Sequence, residues 1–323
     1  MSSQDARVAW VESPLQLLNA VEWAAARDQA LNIALRAATS QVAITAERIE
    51  SHLPAGVTVL GEFETAGSSP FAGASQRLIG DVHSGQVATV LASRGVRDAV
   101  VVDDGSAAGV AARQIALGVP LIRSGQVPAA HARALLLVAA RRLRAAARGG
   151  RLELFTAYAG EDGVARLAGT GATIVENRYA WVRGMRRPGA AVGGRVVLGS
   201  ALAVDGHLRR DAYQRWLERT AAPGAAYFPH RRESERDLDR YRLIRGLRVH
   251  EPELPVELEL ASAVGLRSVT SLPSSAVTSL RHVLGGDIEI VVDDVPDEWW
   301  AEDADPEWRR TIQGMARGGD DHD

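Results

Sequence analysis

Ala225-Ala226-Tyr227-Phe228-Pro229-His230-Arg231-Arg232-Glu233-Ser234 is the stretch on which the reading of the fold turns. Its first four residues are apolar and follow the breaker pair Pro223-Gly224, the pattern of a short buried strand. Pro229 ends that strand because proline has no N–H to give to a sheet ladder. His230 therefore stands just past a strand's carboxyl end, where open α/β sheets bind their ligands. An imidazole there can donate to a phosphate, and Glu233 can accept from sugar hydroxyls. The same residues also suit a solvated surface turn.

Outward from this stretch, strands and helices alternate along the chain. Arg7 to Glu12 reads as a first strand, and Ser13-Pro14 opens a helix as N-cap and first helical residue. Leu15, Leu17, Leu18, Val21 and Ala25 form its apolar face. Strands are expected at 32–37, 57–60, 99–102, 151–155, 172–175, 195–200, 267–271 and 288–292. Residues 76–94, 107–117, 129–148, 207–219, 235–247 and 255–264 read as helices. This strand-helix series is the signature of parallel α/β sheets. Gly61 to Ser75, rich in Gly, Ser and Pro, reads as a loop that closes over a substrate or lies idle on the surface.

At 323 residues the chain has room for two domains. Gly149-Gly150 divides it into 1–149 and 150–292, followed by an acidic extension over 293–323. Within that extension a helix over 307–315 and a frayed end from Gly318 are expected. A net charge of -3 argues against a general nucleic-acid binder. Cysteine is absent, which removes disulfides and thiolate metal sites. The start, Met1 to Arg7, lacks the basic and apolar parts of a signal peptide, so a cytoplasmic protein is expected. All 37 basic residues are arginine. This general bias lowers the weight of any one arginine patch. The helix over 129–148, with Arg133, Arg141, Arg142, Arg144 and Arg148, is read as the crossing between domains. Its basic face is either simply solvated or able to touch a membrane surface or an anionic acceptor.

Two further stretches carry chemistry. Asp103-Asp104-Gly105 ends the apolar run Ala99 to Val102. Adjacent carboxylates at a buried strand end repel one another and lose solvent, which raises a pKa toward that of a general base. Helix capping and a metal-ligand pair are the alternatives. Ser274-Ser275 stands at a helix start, where free N–H groups and two hydroxyls can hold an anion. Plain N-capping by one serine is compatible with that role.

The order of these three signatures, an acidic-acidic-Gly, a Pro-His and a Ser-Ser, resembles the bacterial sialyltransferases and polysialyltransferases. Ser13-Pro14-Leu15-Gln16 and Val197-Leu198-Gly199 are similar to that family in layout, and the resemblance runs from Val8 to Leu280. Ser200 departs from it, where related sequences lead one to expect glutamine. The resemblance implies the GT-B architecture of two Rossmann-like domains facing across a cleft. It implies an inverting, metal-independent transfer of a sialic acid or related nonulosonic acid from a CMP-activated donor to a glycan or glycolipid hydroxyl, with no further cofactor. By that resemblance Asp103 is the base, supported by Asp104 and Gly105, and His230 donates to the departing phosphate. Ser274, Ser275, Glu233, Gly199 and Pro229 are then donor-binding residues. The rival readings are a GT-B enzyme using another nucleotide sugar and a non-catalytic relative that binds glycan or nucleotide.

Overall fold

The structure is a computed structural model, and it describes residues 6–36, 40–62, 69–105, 107–123, 126–185, 192–302, 304 and 309. The chain forms two compact units, Met1–Met185 and Arg186–Asp323.

In the first unit the elements follow in the order β1 (Arg7–Val11), α1 (Pro14–Ala25), β2 (Leu31–Leu35), α2 (Ser40–Ile49), β3 (Val57–Glu62), β4 (Gln76–Ile79), α3 (Gly85–Arg94) and β5 (Asp98–Val102). They continue with α4 (Ala107–Leu117), α5 (Ala130–Arg148), β6 (Leu152–Thr156), α6 (Asp162–Ala168), β7 (Thr173–Glu176) and α7 (Ala180–Gly184). The seven strands make one sheet in the order β3-β2-β1-β4-β5-β6-β7. Every pairing in it is parallel. Strand residues alternate between the two faces. Val8, Trp10, Ile79, Ala99, Val101, Leu152 and Leu154 pack with buried residues of α3 to α6 on one of them. Helix α1 begins as its sequence dictates: the Ser13 hydroxyl accepts from the Gln16 N–H at 3.2 Å, and Pro14 occupies the first turn.

The second unit runs β8 (Arg195–Leu198), α8 (Ala201–Val204), α9 (Arg210–Thr220), β9 (Ala225–Phe228), α10 (Glu235–Arg242) and β10 (Leu247–Val249). Then come α11 (Val256–Ala261), β11 (Ser268–Ser271), α12 (Ser275–Leu284) and β12 (Glu289–Val292). Its five-stranded parallel sheet has the order β10-β9-β8-β11-β12. Val197, Ala225 and Tyr227 face one core with Tyr213, Trp216 and Tyr241. Their neighbours Val196, Leu198, Ala226 and Phe228 face another with Leu260 and Leu280.

Four expectations are corrected. The break between units falls after Met185, not at Gly149-Gly150. That glycine pair ends α5, but the chain then returns to pair β6 with β5 and β7 with β6 in the same sheet. Helix α5 accordingly belongs wholly to the first unit, with Leu136, Ala139, Ala140, Leu143, Ala146 and Ala147 buried. Its Arg142 and Arg144 donate to the carbonyls of Leu91 and Leu117 near the ends of α3 and α4. The helix expected over 76–94 is strand β4 followed, after a turn, by the shorter α3. The acidic segment after β12 is no mere extension. Val295 and Trp300 are buried in the α9-side core, and Trp300 pairs with Leu208 in an antiparallel bridge. The helix expected over 307–315 and the end from Gly318 lie outside the described residues, Arg309 apart, as does 63–68 of the expected loop. Among the described residues no helix is long and apolar enough to cross a membrane.

Candidate active site

In the second unit, strand order reverses beside β8: β9 and β10 lie to one side, β11 and β12 to the other. Such a switch point leaves a crevice at the carboxyl edge. Gly199 follows β8, Pro229 and His230 follow β9, and Ser274 precedes α12 after β11. The Gly199 N–H donates to the Phe228 carbonyl at 2.7 Å, extending the ladder past the strand ends. A Cβ on Gly199 would overlap the backbone nitrogen of His230 and come 2.7 Å from Oε1 of Glu233. Gly199, Pro229, His230 and Glu233 are thus in contact, and only glycine fits at the first position.

His230 opens a turn closed by the Glu233 N–H donating to its carbonyl at 2.8 Å. Its Nδ1 accepts from the Arg232 N–H at 3.4 Å, which leaves Nε2 as the ring nitrogen that carries the proton. Burial, with Arg232 and Arg231 nearby, holds the imidazole down to about 4. Arg232 itself is turned away into a two-pronged pair with Asp205, at 2.6 and 2.9 Å.

Glu233 is fixed from beneath. The Tyr227 hydroxyl donates to its carboxylate, 2.7 and 2.8 Å from the two oxygens, and lies 2.9 Å from the Tyr213 hydroxyl. The Ser200 N–H donates to that hydroxyl at 3.2 Å. Tyr227 spends its one proton on Glu233, so Tyr213 must donate to Tyr227, and the chain has a single direction. Burial pushes Glu233 up to about 7 against these hydrogen bonds.

Ser274 caps α12, its hydroxyl accepting from the Ala276 N–H at 3.3 Å. The capping role holds, and the first-turn amides of α12 remain at the same sheet edge as Gly199, one strand over. Ser275 is the first residue of that helix, half-buried.

In the first unit, Asp103 follows β5 and is 1% exposed. Its Oδ1 accepts from Asn19 Nδ2 at 2.6 Å and its Oδ2 from the Ala157 N–H at 2.8 Å. Burial pushes the carboxyl up to about 7; the charge of Asp104 adds to this, while the N–H of Ala157 and the hydroxyl of Thr156 oppose it. Asp104 is the more open of the pair. It accepts from the Ser13 hydroxyl at 2.9 Å and from Arg123 at 3.4 Å. Gly105 has φ +72°, a left-handed turn that suits glycine and leads into α4.

Sequence reasoning missed several partners. Asn19 is fully buried, donates to Asp103 and accepts from Asn177 at 2.9 Å. Gln16, Asn19 and Glu22 recur every third residue on α1, and all three are buried. That polar stripe on a helix was the available signal. Arg123 also pairs with Asp81 at 2.9 Å. Burial pushes Asp81 up, but bonds from His83 and Arg123 hold it down to about 2. Among the described residues no group of three or more His, Asp and Glu side chains is placed to hold a metal ion.

No family model matches the chain, and no curated protein matches it in sequence. Among solved structures, an α/β-galactoside α-2,3-sialyltransferase from the luminous marine bacterium Photobacterium phosphoreum aligns with a TM-score of 0.53 and 11% identity, over 97% of this chain and 94% of that one. The heptosyltransferase WaaC of E. coli, with ADP-2-deoxy-2-fluoro heptose, aligns at 0.41 and 13% identity, over 95% and 99%. The chain has the α/β fold of the GT-B glycosyltransferases, built from two parallel-sheet units.

Proposed function

We propose that the protein is an inverting, metal-independent glycosyltransferase that moves a sialic acid or related nonulosonic acid from a CMP-activated donor to a glycan hydroxyl. The observation that carries this reading is the junction of Gly199, His230 and Glu233 at a strand-switch crevice. One neutral N–H donor and one sugar-binding carboxylate there match a nucleotide's phosphate and ribose. The α12 start, on the adjacent strand's side, supplies further donors. Asp103, raised by burial to about 7, suits proton abstraction near neutral pH.

In this reading the acceptor's O–H proton passes to the Asp103 carboxylate as its oxygen attacks the anomeric carbon. The bond from that carbon to the phosphate oxygen breaks, and its electron pair stays on CMP. His230 Nε2–H, the Ser274 and Ser275 hydroxyls and the positive end of the α12 dipole stabilise the growing charge. Attack opposite the leaving group inverts the anomeric centre.

Release of CMP from a panel of CMP-activated nonulosonic acids, with and without glycan acceptors, tests the reading. Absence of release, with UMP bound as well as CMP in calorimetry, would turn it toward another nucleotide sugar. Because Asp104 is the more open carboxylate, Asp103→Asn and Asp104→Asn are measured side by side. Asp103→Asn is expected to abolish transfer while CMP still binds. Loss confined to Asp104→Asn would move the base by one residue.

A further inference from the structure

From Gly105 to Leu152 the chain has eight arginines and no Asp or Glu, whereas the remainder sets 40 acidic residues against 29 arginines. Arginine by itself means little in a chain without lysine. The absence of acids over 48 residues, in a protein of net charge -3, is the signal. This stretch forms α4, α5 and the loop between them, and the neighbouring α3 has no acid either. Helix α5 lies between the other two: Arg142 reaches the Leu91 carbonyl of α3 on one flank, and Arg144 the Leu117 carbonyl of α4 on the other. Between these flanks Ala134, Val138, Arg141, Ala145 and Arg148 recur at helical spacing and are all exposed. They form one ridge along a helix about 28 Å long. Among the described residues Arg133, Arg141 and Arg148 have neither an ion-pair nor a hydrogen-bond partner.

The same stretch gathers apolar surface. Nine large hydrophobic side chains are exposed among the described residues, and five of them belong to it: Leu117, Val119, Val127, Leu135 and Val138. Val138 stands on the ridge, one turn before Arg141. Leu135 lies two turns before Arg142 on the α3 flank. On the α4 flank Gly118, between Leu117 and Val119, lies against the side chains of Arg141 and Arg144. Val127, 96% exposed, comes three residues before the first turn of α5.

We propose that the outer ridge of α5, with the end of α4 beside it, is a docking surface for an anionic lipid bilayer. Lipid phosphates meet the arginines, and the exposed Val and Leu side chains enter the apolar layer just beneath, with the helix lying along the surface. A second copy of the chain would set like charge against like charge. A soluble polyanion would satisfy the arginines but offer nothing to the apolar side chains. The inference goes beyond the proposed transfer reaction and does not depend on it.

The experiment is flotation of the full chain with vesicles of phosphatidylglycerol and phosphatidylcholine in equal parts, and with vesicles of phosphatidylcholine alone. Binding is expected to the first and not to the second, and it should weaken as salt is raised. Each arginine at an anionic surface contributes about fivefold, so Arg133→Gln, Arg141→Gln and Arg148→Gln together should weaken binding about 100-fold. Leu135→Ser with Val138→Ser should weaken it about tenfold or more while retention on heparin stays as in wild type. Ala134→Glu with Ala145→Glu removes no side chain and puts negative charge on the ridge, so it too should abolish binding; circular dichroism checks that each variant is folded. Equal binding to both kinds of vesicle, or to neither, would overturn the proposal. So would wild-type binding to the charged vesicles by the folded Ala134→Glu/Ala145→Glu variant. Wild-type binding by the Leu135→Ser/Val138→Ser variant would overturn it as well, and would make the arginines a site for a soluble polyanion.

Discussion

The backbone nitrogen of His230 occupies the space in which a side chain on Gly199 would begin. The ends of β8 and β9 are thereby locked to one another, and Glu233 is held against both. Gly199→Ala sets a methyl group against backbone that cannot yield. It is expected to cost about 1–3 kcal/mol of stability and to weaken CMP binding. Denaturant unfolding and calorimetry read the two effects; wild-type values in both would show that the contact has slack.

His230→Ala is expected to lower CMP release by about two orders of magnitude or more, the range for losing a donor aimed at developing charge. Because burial and two arginines hold the imidazole down to about 4, it is already neutral in the free protein at neutral pH. The profile of kcat/KM against pH, which reports the free enzyme, should then show no histidine limb near the usual value of about 6.5. A limb there that vanishes in His230→Ala would contradict this.

Tyr227→Phe strips Glu233 of its hydroxyl donor and Tyr213 of its acceptor. Expected are a loss of about 1–3 kcal/mol in stability and a higher KM for the donor sugar with kcat little changed. Tyr213→Phe leaves the Tyr227 bond to Glu233 in place, so it should lower stability with a smaller effect on KM. Equal KM effects would mean that the relay, not the last bond, orients the carboxylate.

Stability should fall as pH rises from about 5 to about 8. Asp103, Glu161 and Glu233 are each pushed up to about 7, so the folded state holds their protons more tightly than the unfolded chain does. The stability they contribute is complete below the usual carboxylate range and is lost as pH rises through about 7. His230 works the other way, losing its contribution as pH falls through about 4, but it is one group against three. Asp103→Asn removes one titration and should lessen the drop by about 1 kcal/mol or more. Urea unfolding at the two pH values measures it; a drop of the same size in the variant would refute the cause given.

Much of the fold was legible because its central strands are short apolar runs stopped by breakers, as at Ala99 to Asp103 and Ala225 to Pro229. Strand β4 was not. Half of Gln76-Arg77-Leu78-Ile79 is polar, yet Arg77 is 6% exposed and gives its charge to the Gly95 carbonyl at 2.7 Å. A strand that buries an arginine this way looks like a helix start. The unit boundary was missed because Gly149-Gly150 ends a helix in the same way whether the chain leaves the sheet or returns to it. Among the candidate residues, Asp103 and His230 stood out, each in its own unit, as polar residues directly after buried strands. Asn19 did not, because it acquires meaning only from a partner far along the chain, Asp103, 84 residues on.

The buried amide and carboxylate on α1 also bear on biosynthesis. Asn19 waits for Asn177, 158 positions later, and Glu22 for the N–H of Val182, 160 positions later. A nascent chain that has released α1 from the ribosome must hold these polar groups in water until nearly the whole of the first unit has emerged. Its early third can therefore not settle into its final packing while translation is under way, and a fragment cut anywhere before α7 should behave as a loose, protease-sensitive intermediate.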